Sequence, residues 1–236
     1  MNKIQSVRGT KDIFPTEMQN YNSIINKAKF ISELYGFEEA AFPIIEKSDV
    51  FTRPLGESSD VVSKETYTFA DRGDDRITLR PEGTAGIMRS VLSQGKLNEL
   101  PIKLFYSGPM FRYERPQKGR LRQFIQIGIE SIGSSNAIED VEVIQCGVSL
   151  LNKLGILKNC ILNINSLGDT ESRNLYRENL VKYFLSNESK LSKVSQGRLS
   201  LNPLRILDSK EPEDQDIIRR APLLSSYLNN ISVDHF

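Results

Sequence analysis

Residues 102–130 constrain the fold of this chain more than any other stretch. Ile102, Leu104 and Tyr106 sit at alternate positions, and Ile125, Ile127 and Ile129 do so again further on. A period of two predicts a strand on each side, and Pro116, Lys118 and Gly119 mark a turn region between them. Residues 112–122 carry five basic side chains (Arg112, Arg115, Lys118, Arg120, Arg122) against one acid, Glu114, in a chain whose net charge is +1. The second strand divides its side chains between two faces. Ile125, Ile127 and Ile129 lie on one, and Phe124, Gln126, Gly128 and Glu130 on the other. An aromatic, an amide, a gap and a carboxylate make a poor core face and a good ligand floor, with Gly128 leaving room against the backbone. A solvated edge hairpin would have the same alternation. The guanidinium forks of the loop, suited to phosphate, favour the ligand reading.

Composition narrows the class. With 39% hydrophobic and 26% charged residues over 236 positions, the chain has the balance of a folded soluble protein. Its near-neutral charge gives no global attraction to nucleic acid, so such binding falls to local patches. No apolar run approaches a membrane span, and the first residues do not spell a signal peptide. Two cysteines and one histidine, His235, argue against a disulfide framework, a zinc site or a Ser-His-Asp centre. A reducing cytoplasm is expected. No Walker loop or Rossmann glycine fingerprint is present, and no metal ligands are legible.

Taken in order, residues 15–35 predict a helix with Met18, Tyr21, Ile24, Ile25, Ala28, Ile31 and Leu34 on its apolar side. Residues 37–45 predict a strand in which Pro43 marks an edge or a break. Residues 65–70 and 76–80 predict a hairpin, so the Arg72-Gly73-Asp74 tripeptide is turn chemistry. A strand ending at Arg80 and a helix opening at Gly83 and Thr84 place Glu82 in a strand-to-helix corner. There it is either an acid favoured by the helix dipole or a ligand contact. Asn136 and Glu139 predict a capping box for a helix with Val141, Ile144, Val148, Leu151 and Leu154 as its buried stripe. Residues 160–167 predict a further strand. From Asp169 the pattern turns to amphipathic helices.

Several of these strings are family-like. Phe-Arg-Tyr-Glu-Arg-Pro-Gln-Lys-Gly-Arg from Phe111, closed by Arg-Gln-Phe at Phe124, resembles motif 2 of class II aminoacyl-tRNA synthetases and specifically that of histidyl-tRNA synthetases. Arg8-Gly-Thr-Lys-Asp12, Arg80-Pro-Glu-Gly-Thr84 and Asn202-Pro-Leu-Arg-Ile-Leu-Asp-Ser-Lys210 are similar to further strings of that family. The resemblance implies an α+β fold: an antiparallel sheet flanked by helices, followed by a less tightly packed helical segment. Residues 1–168 would be the class II core with motifs 1 and 2, and residues 169–236 the start of a helical insertion. The second histidine motif, motif 3 and the anticodon-binding domain of the family are not among these residues.

The implied function is ATP-dependent activation of histidine and its transfer to tRNA(His). Arg112 would be the catalytic cation, holding the α-phosphate and the histidine carboxylate. Glu82, Thr84 and Gln126 would take the ammonium and Glu130 the imidazole, with Gly83 also among the histidine-binding residues. Glu114 and Phe124 would hold adenine and Arg120 the γ-phosphate. Arg115 and Gln117 would meet the tRNA acceptor end. Magnesium would accompany ATP, and the residue 15–35 helix with the Pro43 strand would form a homodimer interface. This stretch alone would bind ATP or histidine weakly and form adenylate very slowly or not at all. Two alternatives stand beside this reading: the synthetase-like, histidine-sensing regulatory subunit of ATP phosphoribosyltransferase, and an inactive fragment.

Overall fold

The computed structural model describes residues 3–55 and 65–236, and divides into two compact units, Met1–Cys160 and Ile161–Phe236. In the first, helix α1 (Pro15–Leu34) begins with proline at its first position, where the missing N–H is not needed. Strands β1 (Glu38–Glu39) and β2 (Ile45–Lys47) follow, then helix α2 (Asp49–Leu55). The hairpin β3 (Tyr67–Ala70) and β4 (Arg76–Leu79) leads into helix α3 (Thr84–Ser93). The long hairpin β5 (Ile102–Phe111) and β6 (Gln123–Ile132) precedes helix α4 (Ala137–Lys153).

These strands form two three-stranded sheets, β1-β5-β6 and β2-β4-β3. All pairings are antiparallel except β1 with β5, a two-residue parallel edge. The single strand expected over residues 37–45 is therefore two strands in different sheets. Pro43 lies between them, and lacking an N–H it cannot continue a ladder. In the β3–β4 turn, the Asp71 carboxylate accepts from the Gly73 and Asp75 N–H groups, and Asp74 takes φ 62°; the tripeptide is a turn.

The two faces of the β5–β6 hairpin carry different cores. One buries Phe105, Ile127 and Ile129 against Ala28, Ile31 and Phe37 of α1 and its exit, and against Val143, Cys146 and Leu150 of α4. The other packs Tyr106, Met110 and Phe124 against Phe42 and against Ile87 and Val91 of α3. The α4 face thus differs from the expected stripe, for Val141 and Ile144 are exposed. The expected capping box does not form either. The Asn136 side chain makes no cap bond, and Glu139 turns to the sheet to accept from the Ser131 hydroxyl at 3.0 Å. Residues 160–167 pair with no strand among the described residues, and Ile161, Leu162, Ile164 and Leu167 are exposed.

The second unit is helical: α5 (Thr170–Ser186), α6 (Lys193–Arg198), α7 (Pro212–Arg219) and α8 (Asn230–His235). Asp169 caps α5 by accepting from the Ser172 N–H at 2.8 Å. Tyr176, Leu180 and Phe184 of α5 close on Leu191, Leu199, Ile206, Ile217 and Ala221, and Leu180, Phe184 and Ile206 are fully buried. These side chains form a close-packed core where a less tightly packed segment was expected. Among the described residues no helix is long and apolar enough to cross a membrane.

Candidate active site

Where β4 ends, Arg80, Pro81 and Glu82 turn the chain into α3. The Glu82 carboxylate accepts from the N–H of Thr84 at 2.6 Å and of Ala85 at 3.0 Å, so it caps the helix against its dipole. The Thr84 hydroxyl donates to Glu130 Oε1 at 2.7 Å across to β6. Four of the expected histidine contacts, Glu82, Gly83, Thr84 and Glu130, are thereby drawn to one place by α3 and β6. Burial pushes the Glu130 carboxyl up and the Glu82 charge adds to this. The Thr84 and Tyr106 hydroxyls partly offset both.

Tyr106 is the centre of this corner, a role the sequence reading did not assign to it. It is Gly128's register partner in the hairpin. Its ring fills the gap that Gly128 opens, for a Cβ on Gly128 would stand 2.3 Å from Cζ and one on Gly83 would stand 2.2 Å from it. The room at Gly128 is thus occupied by the protein's own aromatic side chain and is not left for a ligand. Phe42 meets the ring edge-on at 5.5 Å between centroids. The Tyr106 oxygen accepts from Gln126 Nε2 at 3.3 Å. Burial, then the charges of Glu130 and Glu82, push the phenol up to about 12. Gln126 Oε1 is buried and, among the described residues, has no hydrogen-bond partner.

Arg112 stands at the far end of the hairpin. Its Nε donates to the Pro81 carbonyl at 2.9 Å, and its guanidinium lies 5.2 Å from the Phe124 ring centroid. Motif 2 is in this way tied to the Glu82 corner through backbone. Phe124 itself packs against the Tyr106 core, so one flank of the ring expected beneath adenine is structural. Glu114 and Arg120, expected on different parts of ATP, pair with each other at 3.2 Å. Arg115 and Gln117 are exposed on the loop, where Gln117 and Arg120 form an isolated bridge. Arg122 donates from Nε to the Glu114 carbonyl at 3.1 Å and covers the Tyr113 ring at 4.0 Å.

Arg80, Gly108 and Gly9 also shape the site. Arg80 is buried, donating to the carbonyls of Phe42 at 2.7 Å and Pro109 at 2.9 Å, and burial lowers its pKa. Gly108 makes this possible, since a Cβ there would meet Arg80 Nη2 at 2.4 Å. Gly9, at φ +87°, presses its carbonyl onto the Arg122 N–H at 2.7 Å, which docks the Arg8-Gly9-Thr10 string on the basic loop. A groove of about 940 Å³ between α2 and α3 includes Glu82 and Thr84 in its wall but not Arg112, Gln126 or Glu130. Among the described residues there is no group of three or more His, Cys, Asp or Glu side chains placed to hold a metal ion.

A family model described as histidyl-tRNA synthetase matches residues 9–168. The histidine–tRNA ligase of Rhodospirillum rubrum is 51% identical over 232 residues, which are 98% of this chain and 56% of that protein. The crystal structure of apo Staphylococcus aureus histidyl-tRNA synthetase superposes with a TM-score of 0.76 at 36% identity, covering 99% of this chain and 53% of that one. A Bacillus halodurans structure titled ATP phosphoribosyltransferase regulatory subunit/histidyl-tRNA synthetase has a TM-score of 0.56 at 21% identity, over 93% and 63% of the two chains. At that identity the likeness concerns the fold alone. An α+β core of this kind, with a basic hairpin loop beside a carboxylate-lined corner, is the class II synthetase type. The chain belongs to the histidyl-tRNA synthetase family. It spans about half the length of the curated relatives it matches.

Proposed function

We propose that this chain carries the histidine-recognising and phosphate-orienting part of a histidine–tRNA ligase centre. The observation that supports this most is one polar corner, in which Thr84 bonds Glu130 and Gln126 bonds Tyr106 while Glu82 caps the same helix, with Arg112 anchored beside it on Pro81. In this reading the corner holds histidine, with Glu130 accepting from the imidazole N–H. Side chains without a donor there are rejected because the Glu130 lone pairs would go unpaired. Glu82, Thr84 and Gln126 receive the ammonium. A histidine carboxylate oxygen then attacks the α-phosphorus of ATP, pyrophosphate leaves, and Arg112 stabilises the negative charge that develops. Phe124 and Glu114 serve adenine, and Arg120 exchanges Glu114 for the γ-phosphate. Arg115 and Gln117 meet the acceptor end of tRNA(His), whose terminal hydroxyl takes the histidyl group from the adenylate as AMP leaves. Magnesium enters with ATP as part of the substrate.

Residues 1–168 are read as the catalytic core and residues 169–236 as the beginning of a helical insertion. A homodimer through α1 and the Pro43 stretch completes the proposal. The test is calorimetric titration with histidine and with ATP. Glu130→Gln should abolish measurable histidine binding and leave ATP binding nearly unchanged. Loss of both ligands, or of neither, would refute the imidazole assignment. A wild-type chain that binds histidine and no nucleotide would favour the regulatory subunit instead.

A further inference from the structure

Gln126 presents its amide in one particular sense. Its NH₂ faces the tyrosine oxygen, while its carbonyl oxygen is buried with no partner among the described residues. Buried acceptors without a donor are rare and unfavourable, so Oε1 is the atom that a ligand's donor would satisfy. The reverse sense would set the NH₂ against a ligand ammonium, donor against donor.

The hydroxyl between Gln126 and Glu130 accounts for the choice. Phenol oxygen has one proton to give and lone pairs to accept with. Ionised Glu130 only accepts; it receives the Thr84 proton on Oε1, and the Tyr106 hydroxyl also stabilises its ionised form. Once the tyrosine proton points to Glu130, its oxygen offers only lone pairs to Gln126. The amide must then turn its NH₂ inward and its carbonyl outward. The ring cannot swing away, because it is held between Gly83, Gly128 and Phe42.

We propose that Tyr106 is a positioning residue that sets the polarity of the Gln126 amide, so that an acceptor meets the ligand ammonium whenever a carboxylate stands at the imidazole end. This rests on the histidine reading given above and extends it from what is bound to how the two ends of the ligand are read together.

The experiment compares binding of histidine and of imidazolepropionate, its analogue without the ammonium, to the wild-type chain and to Tyr106→Phe, which keeps the ring. Loss of the polarity device should weaken histidine about tenfold, the equivalent of one hydrogen bond to a charged group, and change imidazolepropionate less than about twofold. Equal weakening of both ligands, or none for histidine, would overturn the proposal. Gln126→Glu offers acceptors in either sense, so adding Tyr106→Phe to it should leave the ratio of the two affinities unchanged. A ratio that still falls in that background would overturn the polarity argument. A wild-type chain that binds neither ligand would instead overturn the histidine reading, and the inference with it.

Discussion

At the scale of single residues, the site depends on what glycine omits. Gly128 and Gly147 are both in regular structure and outside the left-handed region, yet they play opposite parts. A Cβ on Gly128 would stand 2.3 Å from Tyr106 Cζ, whereas nothing among the described residues lies within 4 Å of one on Gly147 in α4. Gly128→Ala should therefore destabilise by about 2 kcal/mol through overpacking. Gly147→Ala should stabilise by roughly 0.5–1 kcal/mol through helix propensity. Urea midpoints of the two variants, measured side by side, check both signs. A stabilising Gly128→Ala would mean that the ring moves aside easily and does not hold the corner.

At the scale of elements, buried polar groups decide how helices are joined. Glu46 of β2 and Arg89 of α3 form a two-pronged pair, at 2.5 and 3.1 Å, with Glu46 buried, which pins the helix that Glu82 caps. In the helical unit, Asp214 of α7 is fully buried and receives the Ser192 N–H at 2.8 Å and the hydroxyls of Ser192, Ser195 and Ser209 at 2.9, 2.6 and 2.5 Å. Burial pushes its carboxyl up. The hydroxyls of Ser195 and Ser209, with Ser192, outweigh that and hold it below the ordinary range. The folded state thus prefers the anion. Its contribution is complete above the unfolded-chain value of roughly 4 and is lost as pH falls through the lowered folded value. Asp214→Ala should destabilise this unit by on the order of 3 kcal/mol, because four donors lose their acceptor. In that variant the loss of stability below about pH 4 should be shallower than in the wild type. Denaturant titrations at several pH values measure both; an unchanged acid dependence would show that Asp214 is not the group responsible.

At the scale of the whole molecule, each unit closes around its own core, and the first leaves apolar surface outside it. Met18, Ile24, Phe30 and Leu34 of α1 are exposed at 41%, 44%, 49% and 67%, with Ile44 and Ile45 of the Pro43 stretch at 41% and 51%. Such a surface suits a second copy of the chain. Sedimentation should therefore give a concentration-dependent dimer. Phe30→Glu together with Ile45→Lys should leave a folded monomer with an unchanged circular dichroism spectrum. A wild-type chain that remains monomeric at high concentration would refute the interface.

Much of this was readable from local pattern. The hairpin of β5 and β6, its two unlike faces, the strand-to-helix corner at Glu82 and the turn at residues 71–75 follow from period, proline and glycine, which act over a few residues. The motif strings that mark the family are equally local. Where sequence reading failed, the deciding partner was distant in the chain. Helix α4 is apolar on more than one side, so periodicity alone did not select Val143, Cys146 and Leu150 over Val141 and Ile144; packing against α1 and β6 did. Residues 160–167 have strand composition, but a strand needs an edge to pair with. Gly128 read as space because its neighbours in sequence leave it open. Only the register that sets Tyr106 opposite it, together with Gly83 brought in on α3, shows that the space is filled. The sequence by itself determined which side chains share a strand face or a corner, since strand alternation and turn chemistry are properties of adjacent residues. Tertiary structure alone decided how they are brought into one site, because the Thr84–Glu130 and Gln126–Tyr106 bonds join segments that only folding brings together.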